Sequence, residues 1–328
     1  MDDFRPVYHP AGHDHRLRVA SQELRTGRWV AMRDLLAATA DWPTWTQRTQ
    51  VLAAVAAGTD AVRDWQSEEP GSVAAAVMHA RVSVERALRA HRSARHRTNE
   101  LWLEAWSACG AAARSAPDDP VPYVCLLALA QLDTEQQQPE HRQAPPGPML
   151  FPGPWDLLAQ ADKRDPQSRE AYHRMLQFAY ARREGPSLSE AVNFAQWAAS
   201  SAANGSALHA LPLYVRVERY RRDRGHEKAL DLHWVTEDAI RDALRALQLW
   251  FDASAPATRS LLDLNQLAHA LWGAQRFADA ARVFDALGPY YTPIPWSYRA
   301  GEGRTDRALA EEVFLRARAR CLAAARAD

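Results

Sequence analysis

The sequence predicts an all-α fold built from antiparallel helix hairpins, and three observations carry that prediction. First, glycine is scarce (14 of 328 residues) and the chain is rich in Ala, Leu, Arg and Glu, the strongest helix formers. No run of roughly four to eight β-branched residues marks a central strand. Second, residues 267–287, LAHALWGAQRFADAARVFDAL, carry apolar positions at helical spacing on both sides of a short polar break. Leu267, Ala268 and Leu271 form one face, and Phe277, Ala280, Ala281, Phe284 and Leu287 the other. Third, short Pro, Asp, Asn and Ser junctions recur about 40–50 residues apart, each followed by a helical run.

Taken in order, residues 1–15 are a polar lead with Pro6, Pro10 and Gly12, expected to be irregular. Helical periodicity begins near Leu17. The segment 24–37, LRTGRWVAMRDLLA, lies in register over 272–285, WGAQRFADAARVFD: Leu24 matches Trp272, Trp29 matches Phe277, Met32 matches Ala280 and Leu36 matches Phe284. Gly27 and Gln275 then share the turn position. The junction 69–72 (EPGS) precedes a helix over 73–88, and 117–120 (PDDP) separates helices over 101–114 and 121–132. Likewise 165–168 (DPQS) precedes 169–182, and 203–206 (ANGS) precedes 207–221. Proline stops one helix and is tolerated in the first turn of the next, while Asp, Asn or Ser caps it.

Residues 134–155 break the pattern with Gln136–Gln138 and six prolines, Pro139, Pro145, Pro146, Pro148, Pro152 and Pro154. The segment reads as a long loop of polyproline character, with an apolar end at 149–155 able to tuck against the body. The main division is placed here, giving a lead (1–15), a first helical half (16–133), the Pro-rich linker (134–155) and a second helical half (156–328). Within the second half, Ile240, Leu244, Leu247 and Phe251 step by helical spacing along 236–251. An aromatic, Pro-studded loop follows the hairpin at 288–296. The final helix, about 306–325, carries the stripe Leu309, Val313, Ala317 and Cys321, backed by Arg316, Arg318 and Arg320.

Small Ala268 and Ala280 allow two backbones to approach closely, with Leu267, Phe277 and Phe284 filling the surroundings. On these residues the hairpin resembles a tetratricopeptide repeat. Segment 24–37 resembles it more loosely, with Gly27 where that family usually has glycine. The resemblance implies a right-handed solenoid of degenerate repeats and recognition of a protein or peptide partner in the groove of the array. A solenoid also needs a polar-backed terminal helix, which 306–325 supplies.

Composition narrows the alternatives. Forty basic and forty acidic residues give zero net charge, which argues against a general binder of nucleic acid. Two Arg-rich stretches nevertheless pose that alternative: 81–97, with Arg86, Arg89, Arg92 and Arg95, and 214–224, with Arg219 and Arg222. Cys109, Cys125 and Cys321 form neither a disulfide framework nor a metal knuckle and read as buried thiols. His9, His13 and His15, with Asp14 between them, are the most metal-like cluster, and a polar tail gives the same pattern without function. No nucleotide-binding, hydrolase or metalloprotease motif is present, so neither an enzyme nor a cofactor is expected. A third alternative is a small-molecule pocket between the halves near Trp155. Acids at Asp2 and Asp3, and no apolar run of about 18 residues, point to a cytoplasmic chain without membrane contact. Trp155, Tyr290, Tyr291 and Trp296, at Pro-rich loop ends, are the aromatic candidates for partner contact.

Overall fold

The computed structural model describes residues 4–93, 97–182, 187–223, 230–299 and 307–326. Among them the chain is all-α: the regular elements are helices, and extended backbone pairing is confined to isolated bridges. No helix among these residues is long and apolar enough to cross a membrane.

The chain divides into two compact units. The first, His13–Asn193, opens with α1 (His15–Arg25), α2 (Val30–Ala37), α3 (Trp42–Ala56) and α4 (Ala61–Glu68). The long pair α5 (Val73–Arg92) and α6 (Thr98–Ser115) follows, and then α7 (Val121–Ala130), α8 (Trp155–Arg164), α9 (Arg169–Ala181) and the start of α10 (Ser187–Ser200). Local chemistry sets the starts. The carboxylates of Asp14 and Asp41 accept from Leu17 N and Thr44 N at 2.9 and 2.8 Å, and Ser72 caps α5 through Ala75 N. Asp119 accepts from Val121 N at 2.7 Å, so the 117–120 junction ends α6 and begins α7 as its residues require. The core of α5, α6 and α7 joins Val77, Val84 and Leu88 to Ala105, Cys109, Cys125 and Leu129.

The Pro-rich segment, where the sequence suggested a division, lies inside this first unit. One 3-10 turn (Pro139–His141) interrupts it, and Gln143 and Gly153 exchange two backbone hydrogen bonds at 3.1 and 3.0 Å. Leu150 and Phe151 are buried while Met149 stays exposed. A Cβ at Gly153 would stand 3.0 Å from Met175 and 3.2 Å from the rings of Phe151 and Phe178. A larger residue there would have to displace these side chains by a few tenths of an ångström.

The second unit comprises residues 4–12 and those from Phe194 onward. It contains α11 (Leu211–Asp223), α12 (Glu237–Ala246), α13 (Leu261–Gly273), α14 (Phe277–Leu287), the short α15 (Pro293–Trp296) and α16 (Arg307–Ala324). Its core includes the anticipated hairpin positions Leu267, Ala268, Leu271, Ala280, Ala281, Phe284 and Leu287. Phe277 is half-buried beneath the Arg320 guanidinium. Val7 bridges to Tyr290, tying the polar lead to the 288–296 loop.

Two apolar stripes differ from the sequence expectation. On 236–251 the buried positions are Ala239, Ala243, Ala246, Leu247, Trp250 and Phe251, and Ile240 and Leu244 are only half-buried. The alanines face inward because close packing favours small side chains there. The regular helix also stops at Ala246, followed by a π turn at Leu247–Phe251. In α16, Ala310 and Phe314 join Val313, Ala317 and Cys321 in the core, while Leu309 stays at its edge.

The two aligned turns share a backbone feature. Gly27 has φ +83° and Gln275 φ +58°, both in the left-handed region, between α1 and α2 and between α13 and α14. Glycine adopts this without cost, whereas a side chain costs about 1–2 kcal/mol.

The first unit also buries a full ion pair. Arg81 on α5 makes a bidentate contact to Glu170 on α9 at 2.7 and 2.5 Å, with both side chains buried. The same guanidinium donates to Thr46 O at 3.1 Å on α3, and Arg174 adds a second charge on Glu170 at 2.8 Å. Burial alone would push the Glu170 carboxyl up, but the charges and hydrogen bonds of Arg81 and Arg174 outweigh it and hold it down at about 2.

Two predictions follow from this packing. Gly27→Ala has open space around it but the wrong backbone, so it should cost about 1 kcal/mol in urea unfolding. An unchanged midpoint would contradict the left-handed turn. Glu170→Gln should cost about 3–5 kcal/mol by stranding the Arg81 charge, and Arg81→Met with Glu170→Leu should recover most of it. Because the folded-state value of Glu170 is depressed, its stabilisation is complete above pH 4.5 or so and is lost as pH falls toward 2. A Glu170→Gln cost under about 1 kcal/mol would contradict the pair's role.

Candidate functional site

The first unit carries a concave groove of about 620 Å³ formed by α4, α5 and α6. On α5 it is lined by His79, Val82, Ser83 and Arg86, whose spacing of three, one and three residues keeps them on one helical face. On α6, Leu101, Glu104, Ser107, Ala108 and Ala111 line the opposite wall, and α4 contributes Val62 and Arg63. The lined stretch of α6 spans ten residue steps, about 15 Å at 1.5 Å per residue. Val62, Val82, Leu101, Ala108 and Ala111 supply the apolar lining, and Ser83 and Ser107 supply hydroxyls.

The lining carries Arg63, Arg86 and His79 together with one carboxylate, Glu104. Arg63 is exposed and pairs with Asp60 at 3.2 Å, also exposed. Arg86 donates to the carbonyls of Ala57 and Thr59 at 3.1 and 2.7 Å, satisfying backbone beyond the end of α3 without a carboxylate. Burial lowers the His79 pKa, the charges of Arg86 and Arg63 lower it further, and Glu104 only partly opposes them. His79 is therefore neutral at pH 7. This set of groups is suited to binding: apolar walls, hydroxyl donors and acceptors, and charged side chains of both signs.

The aromatic contact candidates are all buried, so none presents a contact surface. Trp155 donates its indole N–H to Phe151 O at 2.8 Å and pins the Pro-rich loop. Trp296 donates to Asn265 Oδ1 at 2.8 Å, and Thr292 N donates to the same oxygen at 3.3 Å. Tyr291 donates to Glu311 at 3.2 Å, and Tyr290 lies in the pairing with Val7. Rigid aromatics at Pro-rich turns can serve either role, and here they fasten loops.

Among the described residues of the two Arg stretches, most guanidinium groups have partners within the fold. Arg81, first of its stretch, is the buried partner of Glu170. Arg86 is taken by backbone carbonyls, Arg89 by Glu85 and Ala54 O, and Arg92 reaches Glu85 at 3.4 Å. Arg95 lies outside the described residues. In the other stretch Arg222 pairs with Glu218 at 2.7 Å, Arg216 with buried Asp242 at 2.7 Å, and Arg219 is exposed. Glu170 and Asp242 come from elsewhere in the chain, whereas Glu85 and Glu218 lie within the two stretches. As for the histidine cluster, His9 Nδ1 accepts from Ala11 N at 3.1 Å, Asp14 caps α1 and holds Arg48 at 2.9 Å, and His13 and His15 are exposed. Among the described residues no group of three His, Cys, Asp or Glu could hold a metal. All three cysteines are buried and free.

Compared with protein-family models, curated proteins and solved structures, the chain matches none.

Sequence reasoning missed His79, Ser83, Glu104 and Ser107 because single polar residues on two amphipathic helices carry no motif. Their convergence becomes visible only when α5 and α6 pack antiparallel. NMR titration should place the His79 pKa below its ordinary value near 6.5. Glu104→Gln should lower it further, and Arg63→Gln should raise it. A value at or above 6.5 would contradict the burial of His79 beside Arg86 and Arg63.

Proposed function

We propose that this chain is a helical binding module without catalytic activity, holding a segment of a protein partner in the α4–α5–α6 groove. The groove itself carries the reading: about 620 Å³, walled by three helices and lined by both apolar and polar side chains. A groove about 15 Å long takes roughly three turns of a helical segment, or four to five extended residues. Recognition of that kind reads anchors at helical or alternating spacing.

The same proposal includes the architecture: within each unit the helix pairs stack as degenerate, right-handed tetratricopeptide-like hairpins. Its support is the shared register of 24–37 and 272–285, with a left-handed residue at the matched turn position in both. Fold analogy supplies the step from such hairpins to partner binding. We place the module in the cytoplasm, where three free buried thiols stay reduced.

The test is selection from a displayed random peptide library, run in parallel on the wild-type chain and on Ala111→Trp. Ala111 is an exposed groove position, so the substitution fills the groove without disturbing the core, and an unchanged thermal midpoint checks this. The wild-type chain should enrich a family of peptides that the variant fails to bind. Enrichment that ignores Ala111→Trp, or no enrichment at all, would overturn the proposal.

A further inference from the structure

The residues ahead of α1 lie on the second unit as an extended strap. Pro6 and Pro10 keep this stretch out of a helix. Val7 donates its N–H to Pro289 O at 2.7 Å and accepts from Tyr291 N at 3.1 Å, a parallel bridge across Tyr290. On either side of Val7 an aromatic ring meets an arginine of α16. The Arg318 guanidinium stands 3.7 Å from the centre of the Phe4 ring, and that of Arg307 stands 4.9 Å from the centre of the Tyr8 ring. Tyr8 is also edge-on to Tyr291, with ring centres 6.4 Å apart.

We infer that the surface beneath the strap, made by the 288–296 loop and α16, is an acceptor for an extended peptide strand, and that residues 4–8 hold it closed in cis. The occupant of the open site is a segment of a partner protein with the strap's own pattern: an aromatic residue, two others, Val and a second aromatic. The site belongs to the second unit and does not rest on the α4–α5–α6 groove of the first.

The acceptor edge is shaped by contacts that the strap does not make. Asn265 Oδ1 on α13 takes hydrogen bonds from Thr292 N and the Trp296 indole at 3.3 and 2.8 Å. Thr292 Oγ1 donates to Ile294 O at 2.6 Å, and the Tyr291 hydroxyl donates to Glu311 at 3.2 Å. Pro289 O and Tyr291 N are thus presented by a loop already fastened from below, so docking a strand costs little ordering of the site. Uncovering them leaves a backbone acceptor and donor without their partners, which favours a replacement strand. The seat for Phe4 adds selectivity. Arg318 Nε is buried with no hydrogen-bond partner, and a guanidinium drawn out of water gains most from an aromatic face.

The strap's own hold is light: Val7 and Tyr8 are 40% and 43% exposed, and Phe4 is half-buried. In strand addition the main-chain bonds give affinity and the side-chain seats give specificity. Neither depends on which chain the strand belongs to, so a partner strand makes the same contacts. The strap's advantage is its tether, which gives it an effective concentration in the mM range or so. It therefore sets a threshold that an incoming strand must exceed.

The experiment uses the full chain and a fluorescent peptide, FRPVYHP, the sequence of residues 4–10, with ARPVAHP as control. A chain carrying Phe4→Ala and Tyr8→Ala should bind FRPVYHP at least about tenfold more tightly than the wild-type chain does, and ARPVAHP about tenfold more weakly. Adding Arg318→Ala should weaken FRPVYHP binding about fivefold. Failure of the opened chain to bind FRPVYHP, with its thermal midpoint unchanged, would overturn the acceptor. Equal binding by the wild-type and opened chains would overturn closure in cis. Binding that ignores Arg318→Ala would place the peptide elsewhere and overturn the site. Hydrogen exchange on the wild-type chain decides the case in which the opened chain does not fold. The Val7 and Tyr291 amides should be released together, with protection at least about a hundredfold below that of Phe284 in the core. Protection equal to that of Phe284 would mean that the strap leaves only on unfolding, and would overturn the proposal.

Discussion

The buried contact between Arg81 and Glu170 is the constraint on which the first unit depends. One guanidinium reaches the α3 backbone at Thr46 and a carboxylate on α9, and so fixes α5 against both. Such a pair contributes little net stability compared with a well-packed apolar substitute, but once present it cannot be half-removed. Its geometric effect extends to the groove. At 100° per residue, position 81 lies on the opposite side of α5 from positions 79, 82, 83 and 86. The side that points at the ion pair orients the side that lines the groove.

The charge pattern follows from the same economy of carboxylates. Glu85 answers Arg89 and Arg92, Glu218 answers Arg221 and Arg222, and Asp242 answers Arg216. At the groove Arg63 pairs with Asp60, Arg86 is spent on carbonyls, and Glu104 shares the lining with both. Burial first, and then the charges of Arg86 and Arg63, lowers the His79 pKa there.

Much of the helical layout was legible in the sequence, and the reasons are local. Ser72, Asp119 and Ser206 mark helix starts because a short polar side chain satisfies the first free N–H groups. Gly27 marks a turn, while Gln275 in the same left-handed state carries no residue-type signal. The helices over residues 42–68 were not read at all, although Asp41 caps the first of them. Helix α13 begins at Leu261, ahead of the apolar run, because Asp263, Asn265 and Gln266 are buried polar residues, and hydrophobic periodicity cannot register these. Asn265 holds both Thr292 and Trp296, and Asp263 accepts from Tyr214 at 2.6 Å. The candidate site was hidden for a related reason. Arg81 and Arg86 sit in one run of sequence, but one turns into the core and the other toward the groove. Only tertiary packing separates a structural arginine from one beside a ligand.

The central claim is that binding occurs at the α4–α5–α6 groove. The most direct measurement is methyl NMR of the Ala-, Val- and Leu-labelled chain during addition of a peptide selected from the displayed library. Perturbations should concentrate at Val62, Val82, Leu101, Ala108 and Ala111, with the methyls of Leu267, Leu271 and Leu287 in the second unit unmoved. Perturbations clustered in that second unit, or a spectrum unchanged at saturating peptide, would contradict the account.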